Sequence, residues 1–109
     1  MEYHYRLTQL AITDIDETLE YISETIMNPG ASHNLFHSIM TEIKRICGNP
    51  YALPDCSYYL IDNPEIRHSI IGNYVLFFEI KESEKAITIL RFLYGGMNIS
   101  NMTTIVNQN

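Results

Sequence analysis

The chain has 109 residues, of which 46% are hydrophobic, 11% aromatic and 18% charged; this is the make-up of one folded domain and excludes both a disordered chain and two full-sized cores. Its 13 acidic against 7 basic side chains give a net charge of -6, which excludes a broad, sequence-independent grip on a phosphate backbone. No window approaches the roughly 18 consecutive apolar residues of a bilayer span, and the N-terminus has no basic stretch leading into an apolar run, so a cytoplasmic protein without a membrane partner is expected.

In chain order, Tyr3 to Leu7 alternates as a short first strand, and Thr8 to Thr13 leads into a helix. Ile12, Ile15, Leu19, Ile22 and Ile26 fall at steps of three and four as one apolar stripe, with Asp14, Asp16, Glu17, Glu20 and Glu24 on the remaining surface. Asn28-Pro29-Gly30 ends that helix, because proline cannot continue the hydrogen-bond ladder. A second helix is predicted from Ala31 to Cys47, with Leu35, Ile39, Ile43 and Ile46 as its stripe and Gly48 just after. Two apolar stripes of this kind need a sheet to cover them.

The loop Asn49 to Asp55 is rich in turn residues, and Tyr58 to Ile61 reads as a short strand. Ile66 to Ile71 and Tyr74 to Lys81 flank Gly72-Asn73, a two-residue hairpin signal. Leu76 and its neighbours are apolar on both faces, which predicts a central strand covered by helices on one side and by something else on the other. After a polar turn from Glu82 to Lys85, the last strand runs from Ala86 to Tyr94, and the text from residue 99 to 109 reads as a flexible tail.

Two arginines, Arg67 and Arg91, interrupt these strands. Pairing across Gly72-Asn73 sets Arg67 opposite Phe78, and pairing of Lys81 with Ala86 sets Phe78 opposite Ile89 and Leu76 opposite Arg91. Both guanidinium groups then share one open face with a floor of Ile71, Leu76, Phe78 and Ile89. Ile66, Ile70, Val75, Phe77, Leu90, Phe92 and His68 are left to face the helices. The register is the weak link, since a slip of one residue in either turn moves one arginine to the other side. The plain alternative is that both are solvated strand residues or pair with Glu65 or Glu79.

Other signals are weaker. Cys47 and Cys56 match no common zinc spacing and are too few for a disulfide scaffold. His33 and His37 stand one helical turn apart, but the pair faces solvent with no third ligand nearby, so no metal or cofactor is expected. Tyr51, Tyr58 and Tyr59 could touch a partner, although plain packing with wet hydroxyls is the simpler reading.

The order strand, two helices, antiparallel sheet carries several recognisable pieces: Ala11-Ile12-Thr13-Asp14-Ile15 at the start of the first helix, ETLEYISE from Glu17 to Glu24, NPGAS from Asn28 to Ser32, Arg67 to Phe78 with its Tyr74, Phe77 and Phe78, and ILRFLYG from Ile89 to Gly95. Together they resemble the RelE/ParE family of type II toxin–antitoxin toxins over residues 3 to 98. The resemblance implies an α+β fold of order β-α-α-β-β-β(-β), with a helical hairpin on one face of an antiparallel sheet, and a toxin domain over residues 1 to 98. It also implies a cognate antitoxin as partner, and as target either DNA gyrase, as in the ParE branch, or the ribosome with its mRNA. Arg67 and Arg91 stand where the family keeps arginines, and Tyr94 where many members have His or Tyr; the family's basic pair after that position is replaced by Gly96 and Met97.

Metal-free RNA cleavage needs a base for the 2′-hydroxyl, cations for the phosphate and an acid for the leaving oxygen. Arg67 and Arg91 supply the cations and Tyr94 or Tyr74 a proton donor, but no base is evident. A groove with two arginines and an apolar floor suffices for the competing function, a toxin that inhibits gyrase by binding it. A third reading is a toxin whose activity has decayed while antitoxin binding survives. The acid-rich first helix is most simply a solvated face, or else the seat of a basic antitoxin segment.

Overall fold

The structure, a computed structural model, describes residues 2–95. Its elements are β1 (His4–Leu7), α1 (Gln9–Glu20), a π-helical turn (Tyr21–Thr25), α2 (Pro29–Gly48), β2 (Ile66–Ile71), β3 (Tyr74–Lys81) and β4 (Ala86–Tyr94). The sheet order is β1-β4-β3-β2. β2, β3 and β4 are antiparallel as expected, but β1 runs parallel to β4, a pairing that the long connection through both helices, β2 and β3 allows. The expected tail from residue 99 onward, and Gly96 and Met97, lie outside the described residues.

Both helices begin on a side-chain cap. The Thr8 hydroxyl accepts the Ala11 N–H at 3.0 Å, and the Asn28 side-chain Oδ1 accepts the Ala31 N–H, also at 3.0 Å. Asn28-Pro29, read from the sequence as a stop for the first helix, is thus the start of α2: proline occupies a first-turn position where its missing N–H costs nothing. The predicted stripe of α1 holds at Ile15, which is buried, and at Leu19, which packs on the core. It fails at Ile12, which is 39% exposed in the first turn, and at Ile26, which is 54% exposed beyond the π turn. A π turn carries more residues than an α turn and so rotates everything after it out of phase with the stripe.

Gly72, at φ 58°, takes the first central place of the β2–β3 hairpin, a conformation that glycine adopts without steric cost. The predicted strand over Tyr58 to Ile61 is instead a 3-10 turn, Ser57–Tyr59, followed by Leu60 at φ 65°. The Cys56 carbonyl accepts both the Tyr59 and the Ile61 N–H, so this segment satisfies its backbone locally and has no need of a ladder. Tyr58 and Leu60 are left 85% and 86% exposed, while Cys56 and Ile61 on either side are buried.

That turn explains the apolar text on both faces of β3. Leu76, Phe78, Ile89 and Phe92 pack with Ala11, Ile15, Ile39 and Ile43 of the helices. Val75, Phe77, Leu90 and Ile66 form a second cluster with Cys56 and Ile61. The helices therefore cover the face expected to be open, and the face assigned to them is roofed by the loop before β2. Both sides of β3 are fully apolar, so alternation alone cannot say which of them the helices choose.

Leu76 is 0% exposed at the centre of the helix-side core, so Leu76→Ala should cost about 2–5 kcal/mol in urea denaturation, where Leu60→Ala should stay within about 0.5 kcal/mol of the parent.

Candidate functional site: the groove between α1 and the end of β4

The register expected from the turns holds from Ile71↔Tyr74 to Arg67↔Phe78 and from Lys81↔Ala86 to Phe78↔Ile89. It then breaks. Phe77 is paired with Arg91 and Leu76 with Phe92, so Leu90 is an extra residue that bulges β4. The bulge puts Arg91 in the row of Phe77 and His68, one pleat away from the row of Arg67, Phe78 and Ile89. The two arginines consequently do not share one open face, and the convergent pair expected from the sequence is not formed.

Each arginine is held by its own partners. Arg67 donates from Nε to the Pro64 carbonyl at 2.9 Å and from Nη1 to the Leu53 and Tyr51 carbonyls at 2.8 and 3.3 Å. Its guanidinium carbon lies 5.3 Å from the centre of the Tyr51 ring, an arrangement that adds cation–π attraction. Arg67 thereby fastens the loop after α2 to the outer edge of β2, where the His68 N–H also donates to the Pro54 carbonyl.

Arg91 reaches α1. Its Nε and Nη2 donate to the two oxygens of Asp14 at 2.7 and 3.0 Å, and the Phe92 N–H donates to Asp14 Oδ2 at 3.1 Å. The two side chains are only 17% and 12% exposed, and the bond to Asp14 holds the guanidinium charged, pushing its pKa up against the opposing effect of burial. Asp14 is the residue that sequence reasoning missed, having been counted as one more solvated acid. A signal was present: it flanks the buried positions Ala11 and Ile15, at the border of the apolar stripe.

The sheet geometry explains why a carboxylate belongs there. β1 pairs with β4 only as far as Leu7↔Ile89. Thr8 adds one backbone bond to Ile89 and one hydroxyl bond, at 2.9 Å, to the Leu90 carbonyl, and then α1 turns away. From Arg91 to Tyr94 the strand has β3 on one side and, among the described residues, no strand on the other. Asp14 stands in for the missing strand at the first exposed N–H, and beside it opens a groove of about 550 Å³ lined by Asp14, Glu17, Tyr21, Tyr74, Phe92 and Tyr94 among others.

Tyr94 is 51% exposed at the mouth of this groove. It meets Tyr74 edge to face at 5.8 Å, and Tyr74 in turn stacks on Phe92 at 5.0 Å. Burial, reinforced by the neighbouring Tyr94, pushes the Tyr74 hydroxyl above its ordinary pKa, which keeps it protonated and unsuited to act as a base. Of the three residues singled out in the sequence, Tyr94 lines the groove, Arg91 lies beneath it through Asp14, and Arg67 is committed to the β2 edge. His33 and His37 are exposed on α2 as expected, and among the described residues there is no group of three metal-ligating side chains.

His68, expected to face the helices, lies on the other side. Its ring meets Tyr59 at 5.4 Å and Phe77 at 6.3 Å, and Nδ1 is 3.7 Å from Cys56 Sγ. Burial lowers its pKa, against a smaller opposing influence of Asp55, and burial pushes the Cys56 thiol up to about 12. The pair is a neutral packing contact beneath the loop, with no thiolate to act as a nucleophile.

Taken together, the elements form a small α+β domain with a groove beside the end of β4, and no acid–base centre is assembled among the described residues. A family profile described as the ParE toxin of the type II toxin–antitoxin system parDE matches residues 5–99, and the chain belongs to that family of toxins. Among solved structures, a chain of the chromosomal ParDE toxin–antitoxin system from P. aeruginosa is similar with a TM-score of 0.67 and 17% identity, covering 85% of this chain and 96% of its own. A chain of the toxin–antitoxin complex RelBE2 from Mycobacterium tuberculosis is similar with a TM-score of 0.55 and 16% identity, covering 86% and 99%. At such identities these likenesses show the shared fold. No curated protein matches.

Two outcomes follow from the geometry. Asp14→Ala strands a largely buried guanidinium and uncaps the Phe92 N–H, and should cost about 3 kcal/mol in urea denaturation, with the loss reduced in Asp14→Ala/Arg91→Met. A histidine whose folded pKa is depressed contributes stability that is present above its unfolded pKa, about 6.5, and lost as pH falls from there through the folded value. The melting temperature should therefore fall below about pH 6.5, and His68→Gln should flatten that part of the profile.

Proposed function

We propose that this toxin inhibits growth by binding an essential protein target, DNA gyrase in preference to the ribosome, and that a cognate antitoxin neutralises it. The observation that supports this reading is the commitment of both arginines to internal partners: Arg91 to Asp14, Arg67 to three loop carbonyls. Phosphoryl chemistry on RNA calls for free cations around the phosphate together with a base. The groove offers carboxylates and tyrosines instead, a lining suited to a protein surface. The match to the ParE family points the same way, and both similar structures come from toxin–antitoxin systems, which favours an antitoxin as partner here.

In this reading Tyr94 contacts the partner directly. Arg91 and Asp14 are positioning residues that set the height of the β4 end against α1, and Arg67 positions the loop on the β2 edge.

Induction of the chain in growing cells should arrest growth with loss of plasmid supercoiling and a DNA-damage response while mRNA stays intact. Cleavage of mRNA that depends on the ribosome would instead establish the RelE-like endoribonuclease, and an absence of any growth effect the decayed toxin. Tyr94→Ala should reduce the growth effect about tenfold or more in inducer titration without lowering the melting temperature, whereas Arg67→Ala should act through stability and lower both together.

A further inference from the structure

The outer side of α2 carries chemistry that the groove does not use. Leu35, Ile39, Ile43 and Ile46 turn one side of this helix to the core. The helical period of 3.6 residues then puts His33 and His37, four positions apart, on one outward stripe, with Phe36 between that stripe and the core side. Both histidines are exposed, and neither forms an ion pair among the described residues. Phe36 is 46% exposed. From Ala31 to Thr41 the sequence has no charged side chain, whereas α1 and the π turn carry Asp14, Asp16, Glu17, Glu20 and Glu24. Two copies of a chain with a net charge of -6 repel one another across the acidic helix, and this neutral stripe is a side on which they can approach.

Residues four apart on a helix have Cβ atoms about 5–6 Å from each other, a span over which two imidazole arms can close on one ion with metal–nitrogen bonds of about 2.0–2.1 Å. The support is rigid: α2 runs for 20 residues, starts on the Asn28 cap and is packed on the sheet through Ile39, Ile43 and Ile46. Two ligands fall short of the four that zinc takes. Among the described residues no group of three metal-ligating side chains forms, and residues 96–109 contain no His, Cys, Asp or Glu. A second copy related by a two-fold axis supplies the same pair again.

We propose that His33 and His37 are half of a zinc site that a second copy of this chain completes, with two α2 helices side by side and four imidazole nitrogens around one ion. Nitrogen donors suit zinc, whereas magnesium and calcium take oxygen. The exposed apolar surface of the stripe is little more than Phe36, far below the roughly 800 Å² per partner of a standard interface. The ion therefore holds the pair together, and without it the chain is a monomer. No residue of α2 lines the groove, so pairing leaves the groove open, and the inference is independent of the proposed target.

The probe is zinc chloride, titrated into the full chain after removal of metal by chelation and dialysis, with magnesium chloride as control, and followed by calorimetry and sedimentation velocity. Zinc should convert monomer to dimer at about one ion per two chains, excess EDTA should reverse this, and magnesium should do nothing. His33→Ala and His37→Ala should each weaken zinc binding about a hundredfold or more, the upper end of what even an outer-shell partner is worth, and keep the chain monomeric. Both side chains are exposed, so the metal-free melting temperature should not move. His4→Ala and His68→Gln should bind zinc as the parent does. The proposal is overturned by a zinc Kd weaker than about 100 μM, by one ion bound per chain without dimerisation, or by a dimer that persists in EDTA. It is overturned equally if zinc binding survives His33→Ala/His37→Ala and is lost in His68→Gln, which would place the ion at the Cys56–His68 contact. Neither supercoiling nor mRNA cleavage enters these readouts, so failure here leaves the growth experiment untouched.

Discussion

One carboxylate holds the architecture at its most exposed junction. Where β1 ends and the chain turns into α1, the strand at the centre of the sheet loses a neighbour halfway along its length. Asp14 replaces that neighbour with a single side chain that accepts from Arg91 Nε, Arg91 Nη2 and the Phe92 N–H. Bidentate arginine–carboxylate geometry makes this one of the stronger polar contacts available to a small protein, and its desolvation is tolerable because each oxygen is satisfied. The extra residue at Leu90 shifts Arg91 out of the regular register into the row of Phe77, and from there its guanidinium meets Asp14.

Everything distinctive about the surface follows from leaving β4 half covered. A full-length β1 would have paired Phe92 and Tyr94 and filled the groove, whereas a helix that starts at Gln9 leans away and leaves a trough with one wall of acids and one of tyrosines. The same economy appears at the opposite edge, where Arg67 uses three carbonyls to fix a loop against β2. Both arginines look in the sequence like cations waiting for a phosphate. In the folded chain they act as fasteners, and of the exposed acids along α1 it is Glu17 that lines the groove.

The two arginines do not converge in the folded chain, and the strand end beside the groove is flanked by the carboxylates of Asp14 and Glu17. Neutral, buried groups such as the Cys56–His68 contact serve the roof over the second face of the sheet, and contribute rigidity to β2 and β3 from the side away from the helices.

Residue text by itself determined the element order, the helical hairpin, the Gly72 turn and the pairing of Arg67 with Phe78, because these depend on local chemistry: caps, apolar period and turn residues act within a few positions of one another. The motif pieces from Ala11 to Gly95 likewise sufficed for the family. Only the tertiary structure decided which face of an all-apolar β3 the helices would cover, that Tyr58 to Ile61 would coil into a roof, and that Leu90 would bulge. Those outcomes turn on the competition between whole surfaces for burial and on a contact between Asp14 and Arg91, 77 positions apart, and neither an alternating pattern nor a turn signal records which side of such a competition wins.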